Sequence, residues 1–113
     1  MAEPTAAPRV TRNETTHEYE IWVGDVRAGI SGYKLRPGQV VFTHTEIDPD
    51  FGGQGLGSIL VEGSLEDVVS RGEKIVPYCP FVQAYLRKHP AFEAHVEWPA
   101  ERPAEPDEDG ASA

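Results

Sequence analysis

Hydrophobic and polar residues alternate in the first half of the chain, which is the pattern of β-strands. Residues 17–23 alternate in this way, and the turn residues Gly24 and Asp25 connect them to a second predicted strand over 26–33. Residues 39–47 are rich in β-branched and aromatic side chains, which predicts a third, more buried strand. The first half therefore predicts three strands, of which the first two form a hairpin.

Alternation also predicts which side chains of the third strand share a face, because successive residues of a strand point to opposite sides of the sheet. Phe42, His44 and Glu46 are expected on one face. The opposite face is expected to carry Val41, Thr43, Thr45 and Ile47. His44 and Glu46 would then be neighbours on one side of the sheet.

The second half of the chain, after the glycines at 52–57, changes to a helical period and predicts a helix from about Gly55 to Ser70. The expected buried stripe of this helix is Ile59, Leu60, Gly63, Val68 and Val69. An apolar run at 74–78 predicts a fourth strand, and residues 81–89 predict a second helix. One face of that helix is expected to carry Phe81, Ala84, Tyr85 and Lys88. A strand, a helix and a strand in this order favour a parallel pair inside a mixed sheet.

Composition limits the classes of protein to which the chain can belong. Its 113 residues, 39% of them apolar, fit one small domain. A single cysteine, Cys79, cannot form an internal disulfide, and four histidines with one cysteine do not suggest a structural zinc site. No run approaches the roughly 20 apolar residues of a membrane span, and the N-terminus lacks a signal-peptide pattern. We expect a soluble, cytoplasmic protein without a bound metal or a membrane partner.

The charge is negative and unevenly distributed. The net charge of −9 would repel a phosphate backbone, so nucleic acid is not an expected partner. Residues 97–113 combine six acidic residues and one arginine with several prolines and one large apolar residue, Trp98, so we predict a disordered acidic tail. Residues 1–8 are also predicted to be disordered, which leaves one domain over 9–96.

The glycine cluster joins the end of the third strand to the start of the first helix. A helix N-terminus offers unpaired N–H groups, and glycines let an anion approach them closely. A third glycine in dinucleotide spacing is missing, because Ser58 or Leu60 stands there, and no Gly-Lys-Ser/Thr follows. The cluster therefore predicts an anion site of another kind, or a tight turn that serves packing alone.

The segment IDPDFGGQGLGSILV resembles the acetyl-CoA-binding segment of the GNAT superfamily of N-acetyltransferases, in which Gln/Arg-x-x-Gly-x-Gly/Ala opens a helix after a central strand. Here Gly52 stands at the position of the Gln or Arg. Together with PYCPFVQAYLRKHP, the segment HTEIDPDFGGQGLG resembles a small single-domain subgroup of predicted acetyltransferases over about residues 10–96. The resemblance implies an α/β (α+β) fold of minimal size, with a mixed sheet splayed at its central strands and two main helices.

The resemblance also implies how acetyl-CoA, the expected cofactor, would bind. Backbone amides of the glycine turn would hold its pyrophosphate, and the residues concerned are Gly53, Gln54, Gly55, Leu56, Gly57 and Ser58. The backbone of Ile47 would pair with the pantetheine arm, where the third strand separates from its neighbour. Arg87 and Lys88 are candidates for binding the 3′-phosphate of the nucleotide.

Acetyl transfer to an amine needs a base for the amine and a proton for the departing thiolate. His44 and Glu46 are candidate bases, because they precede the glycine turn on one predicted face. Cys79 follows the fourth strand and is expected across the splayed sheet from His44, where it could act as a nucleophile or only as a small buried side chain. Tyr85 or Tyr78 is the candidate proton donor.

The sequence predicts an N-acetyltransferase whose acceptor is an amine of a small molecule, a peptide or a protein. The first predicted strand leads directly into a hairpin, without the pair of helices usual in the superfamily, so we expect an open acceptor face and a monomer or weak homodimer. The alternative is a non-catalytic acyl-CoA-binding or protein-interaction module that keeps the glycine turn.

Overall fold

A computed structural model of the chain describes residues 7–99, in which a five-stranded sheet carries two α-helices on one face. The strands are β1 (Arg9–Asn13), β2 (Glu18–Val23), β3 (Val26–Arg36), β4 (Gln39–Ile47) and β5 (Lys74–Pro77). The helices are α1 (Leu56–Ser70) and α2 (Pro80–Lys88), with short 3-10 helices at Pro49–Phe51 and Pro90–His95. The strands lie in chain order, antiparallel from β1 to β4 and parallel between β4 and β5.

The hydrophobic core lies between the sheet and the two helices. Its fully buried members come from every layer, and the largest are Tyr19, Ile21, Phe42, Leu60, Leu65, Ile75 and Leu86. The predicted mixed sheet, parallel strand pair and two helices are confirmed. Their order along the chain places the ends of β4 and β5 beside the beginnings of both helices.

Three details of the prediction are wrong. The strand β1 was not predicted, because its five residues include a single apolar side chain, Val10. In the structure Val10 packs against Gly63 of α1. Ile59 is exposed, whereas Val61 and Leu65 are buried on α1. Of the predicted face of α2 only Tyr85 is buried, and the other buried residues of that helix are Val82 and Leu86.

A bulge in β4 changes which side chains share a face. Gly32 pairs with His44 and the next residue, Tyr33, pairs with Phe42, so Thr43 is the extra residue of the bulged strand. Phe42 therefore lies on the helix face of the sheet, as Thr45 does. The prediction that Phe42 shares a face with His44 and Glu46 is wrong, because strict alternation holds only on either side of the bulge.

A buried polar cluster fastens β1 and β2 to the end of α1. The guanidinium of Arg12, whose side chain is only 7% exposed, donates to the hydroxyls of Tyr19 and Tyr33 and to Glu73. The Tyr19 hydroxyl in turn donates to Asp67 at 2.6 Å. Burial, and then the bond to the Asp67 carboxylate, raise the pKa of Tyr19 far above its usual value.

The C-terminal part of the domain extends further than predicted. The amide of Glu97 donates to the carbonyl of Ile75 at 2.8 Å, and the indole N–H of Trp98 donates to Glu93 at 3.2 Å. Both residues fall in the predicted tail, so the predicted end of the domain at residue 96 is too early. The rest of the predicted tail, residues 100–113, and most of the predicted N-terminal disordered segment, residues 1–6, lie outside the described residues.

Two general findings concern the described part of the chain. Within residues 7–99, no helix is long and apolar enough to span a membrane. In the same range, no group of three or more histidine, cysteine, aspartate and glutamate side chains is arranged to hold a metal ion. The location of the protein in the cell stays a prediction.

Candidate active site

The parallel strands β4 and β5 separate after four paired residues. Gln39 to Phe42 pair with Lys74 to Pro77, and the amides of Tyr78 and Cys79 both donate to the Phe42 carbonyl at 3.0 Å. The chain then turns into α2, while β4 continues to Ile47. We call the gap that results, bounded by Thr45, Ile47 and Cys79, the strand opening.

The backbone of β4 faces the strand opening with alternate peptide groups. The Asp48 amide donates to the Ala28 carbonyl at 2.7 Å, and the register of β3 and β4 continues unbroken from there to His44. In an antiparallel pair alternate residues bond to the partner strand. The peptide groups of Thr45 and Ile47 therefore point away from β3, toward the strand opening, which is the orientation that pairing of Ile47 with an extended ligand requires.

The glycine turn leaves the N-terminus of α1 open. Gly53 and Gly55 have φ of 79° and 74°, a conformation that glycine adopts far more easily than other residues. Gly55 is the N-cap, no side chain among the described residues caps this end, and the first turn contains no acidic residue. The first-turn amides of Leu56, Gly57 and Ser58 have no partner within the helix, so they are donors for an anion at this end.

Gly57 has a second role, in packing. A Cβ atom at this position would lie 2.7 Å from Cζ of Phe81, in the first turn of α2. The absence of a side chain lets the beginnings of the two helices meet beside the strand opening. The side chains of Gln54 and Ser58, in the same turn, are exposed. A substitution at Gly57 would therefore disturb helix packing as well as ligand binding.

The helix face of the strand opening carries a thiol and two hydroxyls. The Cys79 side chain is 2% exposed, and its Sγ lies 3.4 Å from Oγ1 of Thr45. The Thr45 hydroxyl lies 3.0 Å from Oγ of Ser31, which is fully buried on β3. Three polar side chains thus form a row across β3, β4 and the start of α2.

The opposite face of the sheet carries the two candidate bases. His44 and Glu46 are both exposed there, and no cation among residues 7–99 forms an ion pair with Glu46. The His44 ring lies over Gly32, where a Cβ atom would come within 2.5 Å of Cε1. Both side chains are therefore accessible on this side of the sheet, which we call the open face; that an acceptor binds there stays a prediction.

Hydrogen bonds around the bulge assign the tautomer of His44. The Thr43 hydroxyl donates its proton to the Gly32 carbonyl at 3.2 Å, and its oxygen lies 3.1 Å from Nδ1 of His44. Because a hydroxyl has a single proton, Thr43 accepts from Nδ1–H. Nε2 then carries the lone pair of the neutral imidazole, and it is the nitrogen able to take a proton.

The structure brings some of the predicted site residues together and separates others. His44 and Glu46 share the open face, whereas Cys79 lies on the helix face beside Thr45. The predicted approach of Cys79 to His44 is wrong, because the two side chains lie on opposite sides of β4. Sequence reasoning missed Thr45 and Ser31 as site residues, and the only signal for them was a small hydroxyl side chain on each of two adjacent strands.

The remaining candidates lie at the edge of the site or away from it. Tyr85 is buried and stacks on the His89 ring at a centroid distance of 3.8 Å, and burial raises its pKa. Tyr78 is 49% exposed. Arg87 lies over the Trp98 ring, and with Lys88 it ends α2. The first turn of α2 meets the glycine turn, whereas Arg87 and Lys88 lie in its last turn. The assignment of these two residues to a 3′-phosphate stays a prediction.

The fold and the strand opening define a mixed α/β protein whose parallel central strands separate beside an uncapped helix N-terminus. The profile of the family described as GCN5-related N-acetyl-transferase matches residues 18–96, and the chain belongs to this family. The predicted superfamily is confirmed. No curated protein matches the chain significantly.

Solved structures support the fold. A GCN5-like protein of Staphylococcus aureus, predicted to be an N-acetyltransferase, aligns with a TM-score of 0.61 at 19% identity, over 84% of this chain and 93% of its own. The ribosomal-protein-S18-alanine N-acetyltransferase of Escherichia coli aligns with a TM-score of 0.50 at 20% identity, over 57% of this chain. The chain spans 42% of the length of that enzyme.

Proposed function

We propose that the chain transfers an acetyl group from acetyl-CoA to an amine that approaches the open face of the sheet. The observation that carries the proposal is the strand opening itself, which lies beside an uncapped, acid-free helix N-terminus. A pyrophosphate requires such donors, and an extended pantetheine arm requires unpaired peptide groups like those of Thr45 and Ile47. The residues present therefore fit acetyl-CoA.

Acetyl-CoA would supply the thioester carbonyl that the amine attacks. The amides of Gly53 to Ser58 would hold its pyrophosphate, and the peptide groups of Thr45 and Ile47 would align the arm so that its end lies at the strand opening. Such positioning of two reactants accounts for a large part of the rate of a bimolecular transfer. Gln54 and Ser58 are exposed, and no side chain among residues 7–99 caps these amides.

His44 is the favoured base in this proposal. Its Nε2 carries the lone pair, and its ring position is fixed by Thr43 on one side and by Gly32 beneath. Glu46 lies on the same face two residues further on, and it would relay a proton through water or attract a cationic amine. Transfer would then be direct, within a ternary complex, because the imidazole does not face the Cys79 thiol.

The test is an acetylation assay with acetyl-CoA and a panel of polyamines, lysine peptides and peptides with free N-termini, read by mass spectrometry. We expect one class of amine to gain an acetyl group. His44→Gln should lower turnover about 10²-fold or more, the range of a lost general base, with unchanged affinity for CoA. His95→Gln, in the last 3-10 helix, is the matched control and should keep full turnover.

Two other outcomes separate the alternatives. Tight acetyl-CoA binding without acetylation of any amine would support the non-catalytic acyl-CoA-binding module instead. A gain of about 42 Da on Cys79, discharged by an added amine at the rate of turnover, would support a covalent route and contradict direct transfer.

A further inference from the structure

Burial fixes the direction of hydrogen bonding along the row of Ser31, Thr45 and Cys79. Ser31 is fully buried, and the partner of its hydroxyl among the described residues is Thr45. A buried hydroxyl proton without an acceptor costs free energy, so Ser31 donates to Thr45. The Thr45 hydroxyl has one proton, which is then available to the remaining neighbour, Sγ of Cys79 at 3.4 Å.

With hydrogen bonds donated in this direction, the sulfur of Cys79 accepts from the Thr45 hydroxyl. The thiol proton of Cys79 is then not used in a bond to that hydroxyl. Cys79 is the N-cap of α2, where its side chain makes no capping hydrogen bond and the positive end of the helix favours negative charge. The sulfur thus lies between the Thr45 hydroxyl and the start of α2, and it borders the strand opening where transfer is proposed.

We propose that Thr45, fixed by Ser31, is a positioning residue that prepares Cys79 to protonate the departing thiolate, an inference that rests on the proposed function. In this step the proton leaves Sγ of Cys79 and forms a bond to the sulfur released from the thioester. The charge left on Cys79 is stabilised by the Thr45 hydroxyl and by α2, and a proton from solvent restores the thiol. Tyr85, which is buried and stacks on the exposed His89 ring, would then have a structural role.

The first measurement needs neither turnover nor CoA. Cys79 is the single cysteine of the chain, so alkylation by iodoacetamide at neutral pH, followed by mass spectrometry, reports on it alone. Thr45→Val keeps the shape of the side chain and removes the donor. Because the thiolate is the reactive form, we expect alkylation about threefold slower in Thr45→Val and restored in Thr45→Ser. Ser31→Ala should slow it in the same direction and by less.

The second measurement connects the row with turnover. Thr45→Val should lower kcat at least about threefold with the dissociation constant of CoA unchanged, and it should also lower the melting temperature, because Ser31 loses its acceptor. Thr45→Ser should keep the melting temperature and most of kcat. Tyr85→Phe should keep kcat. Equal alkylation rates in the wild type, Thr45→Val and Thr45→Ser would overturn the inference even if acetylation is observed. If the wild type acetylates no amine but Cys79 is alkylated more slowly in Thr45→Val than in the wild type and Thr45→Ser, the result would count against the proposed function alone.

Discussion

A negative charge placed in the first turn of α1 tests the pyrophosphate site without endangering the fold. Ser58 is exposed there, so Ser58→Glu adds a carboxylate beside the amides proposed to hold the anion. An acidic residue at a helix N-terminus is stabilising, by about 0.3–1 kcal/mol. A loss of CoA affinity could therefore not be attributed to unfolding, which is the weakness of substitutions at Gly57, where Phe81 packs.

The expected magnitude follows from Coulomb's law. A glutamate side chain at this position would lie about 6 Å from a doubly charged pyrophosphate, and the repulsion at an effective dielectric constant of about 40 to 80 is roughly 1.4–2.8 kcal/mol. That energy corresponds to a dissociation constant for CoA about tenfold to hundredfold weaker. Isothermal titration calorimetry at about 0.1 M salt would measure it.

The matched control adds the same charge to the other end of the same helix. Ser70 is exposed in the last turn, about 18 Å along the axis from Ser58, which is nearly two Debye lengths at about 0.1 M salt. Ser70→Glu should leave the affinity for CoA within about twofold. If Ser58→Glu bound CoA as tightly as Ser70→Glu does, the assignment of the pyrophosphate to this helix end would be refuted.

Two further predictions concern the support of the site and of the fold. Gly32→Ala places a methyl group against the His44 ring, so we expect turnover to fall while CoA affinity is kept; a variant with full turnover would argue against His44 as the base. Tyr19→Phe should lower the free energy of unfolding at pH 7 by about 1–3 kcal/mol, measured with urea, because it removes the buried hydroxyl that donates to Asp67 and accepts from Arg12. Because the pKa of Tyr19 is raised in the folded state, its contribution to stability is complete below the unfolded pKa of about 10 and is lost as the pH rises from there toward the folded-state pKa. The difference in free energy of unfolding between the wild type and Tyr19→Phe should therefore narrow in alkaline solution. A difference that does not change with pH would contradict the raised pKa of Tyr19.

Local patterns predict the main elements because the elements are regular. The alternation of residues 39–47 and the helical period after the glycines correspond to β4 and α1 within one residue. β1 could not be predicted in the same way, because its one apolar side chain, Val10, gains its burial from a long-range contact with Gly63. Such a strand is defined by its neighbours in space rather than by its own sequence.

The candidate site is predictable in its parts but not in its arrangement. The glycine turn and the order of strand, turn and helix indicate an anion site from the sequence alone. The bulge at Thr43 has no signal in the pattern of residues 39–47, and it alone decides that Phe42 lies with Thr45 rather than with His44. The unpaired residue Thr43 therefore puts His44 and Cys79 on opposite faces of the sheet, whereas strict alternation predicts that they share a face.

The central claim, that acetyl-CoA binds with its pyrophosphate at the start of α1 and its arm along the free edge of β4, is tested most directly by NMR. In ¹H–¹⁵N spectra of the labelled protein titrated with acetyl-CoA, we predict that the largest shifts fall on the amides of residues 53–58 and on those of Thr45 and Ile47. The amides of β1, at the far edge of the sheet, should stay unchanged. Saturable shifts confined to other parts of the sheet, or a spectrum that acetyl-CoA leaves unchanged, would contradict the account.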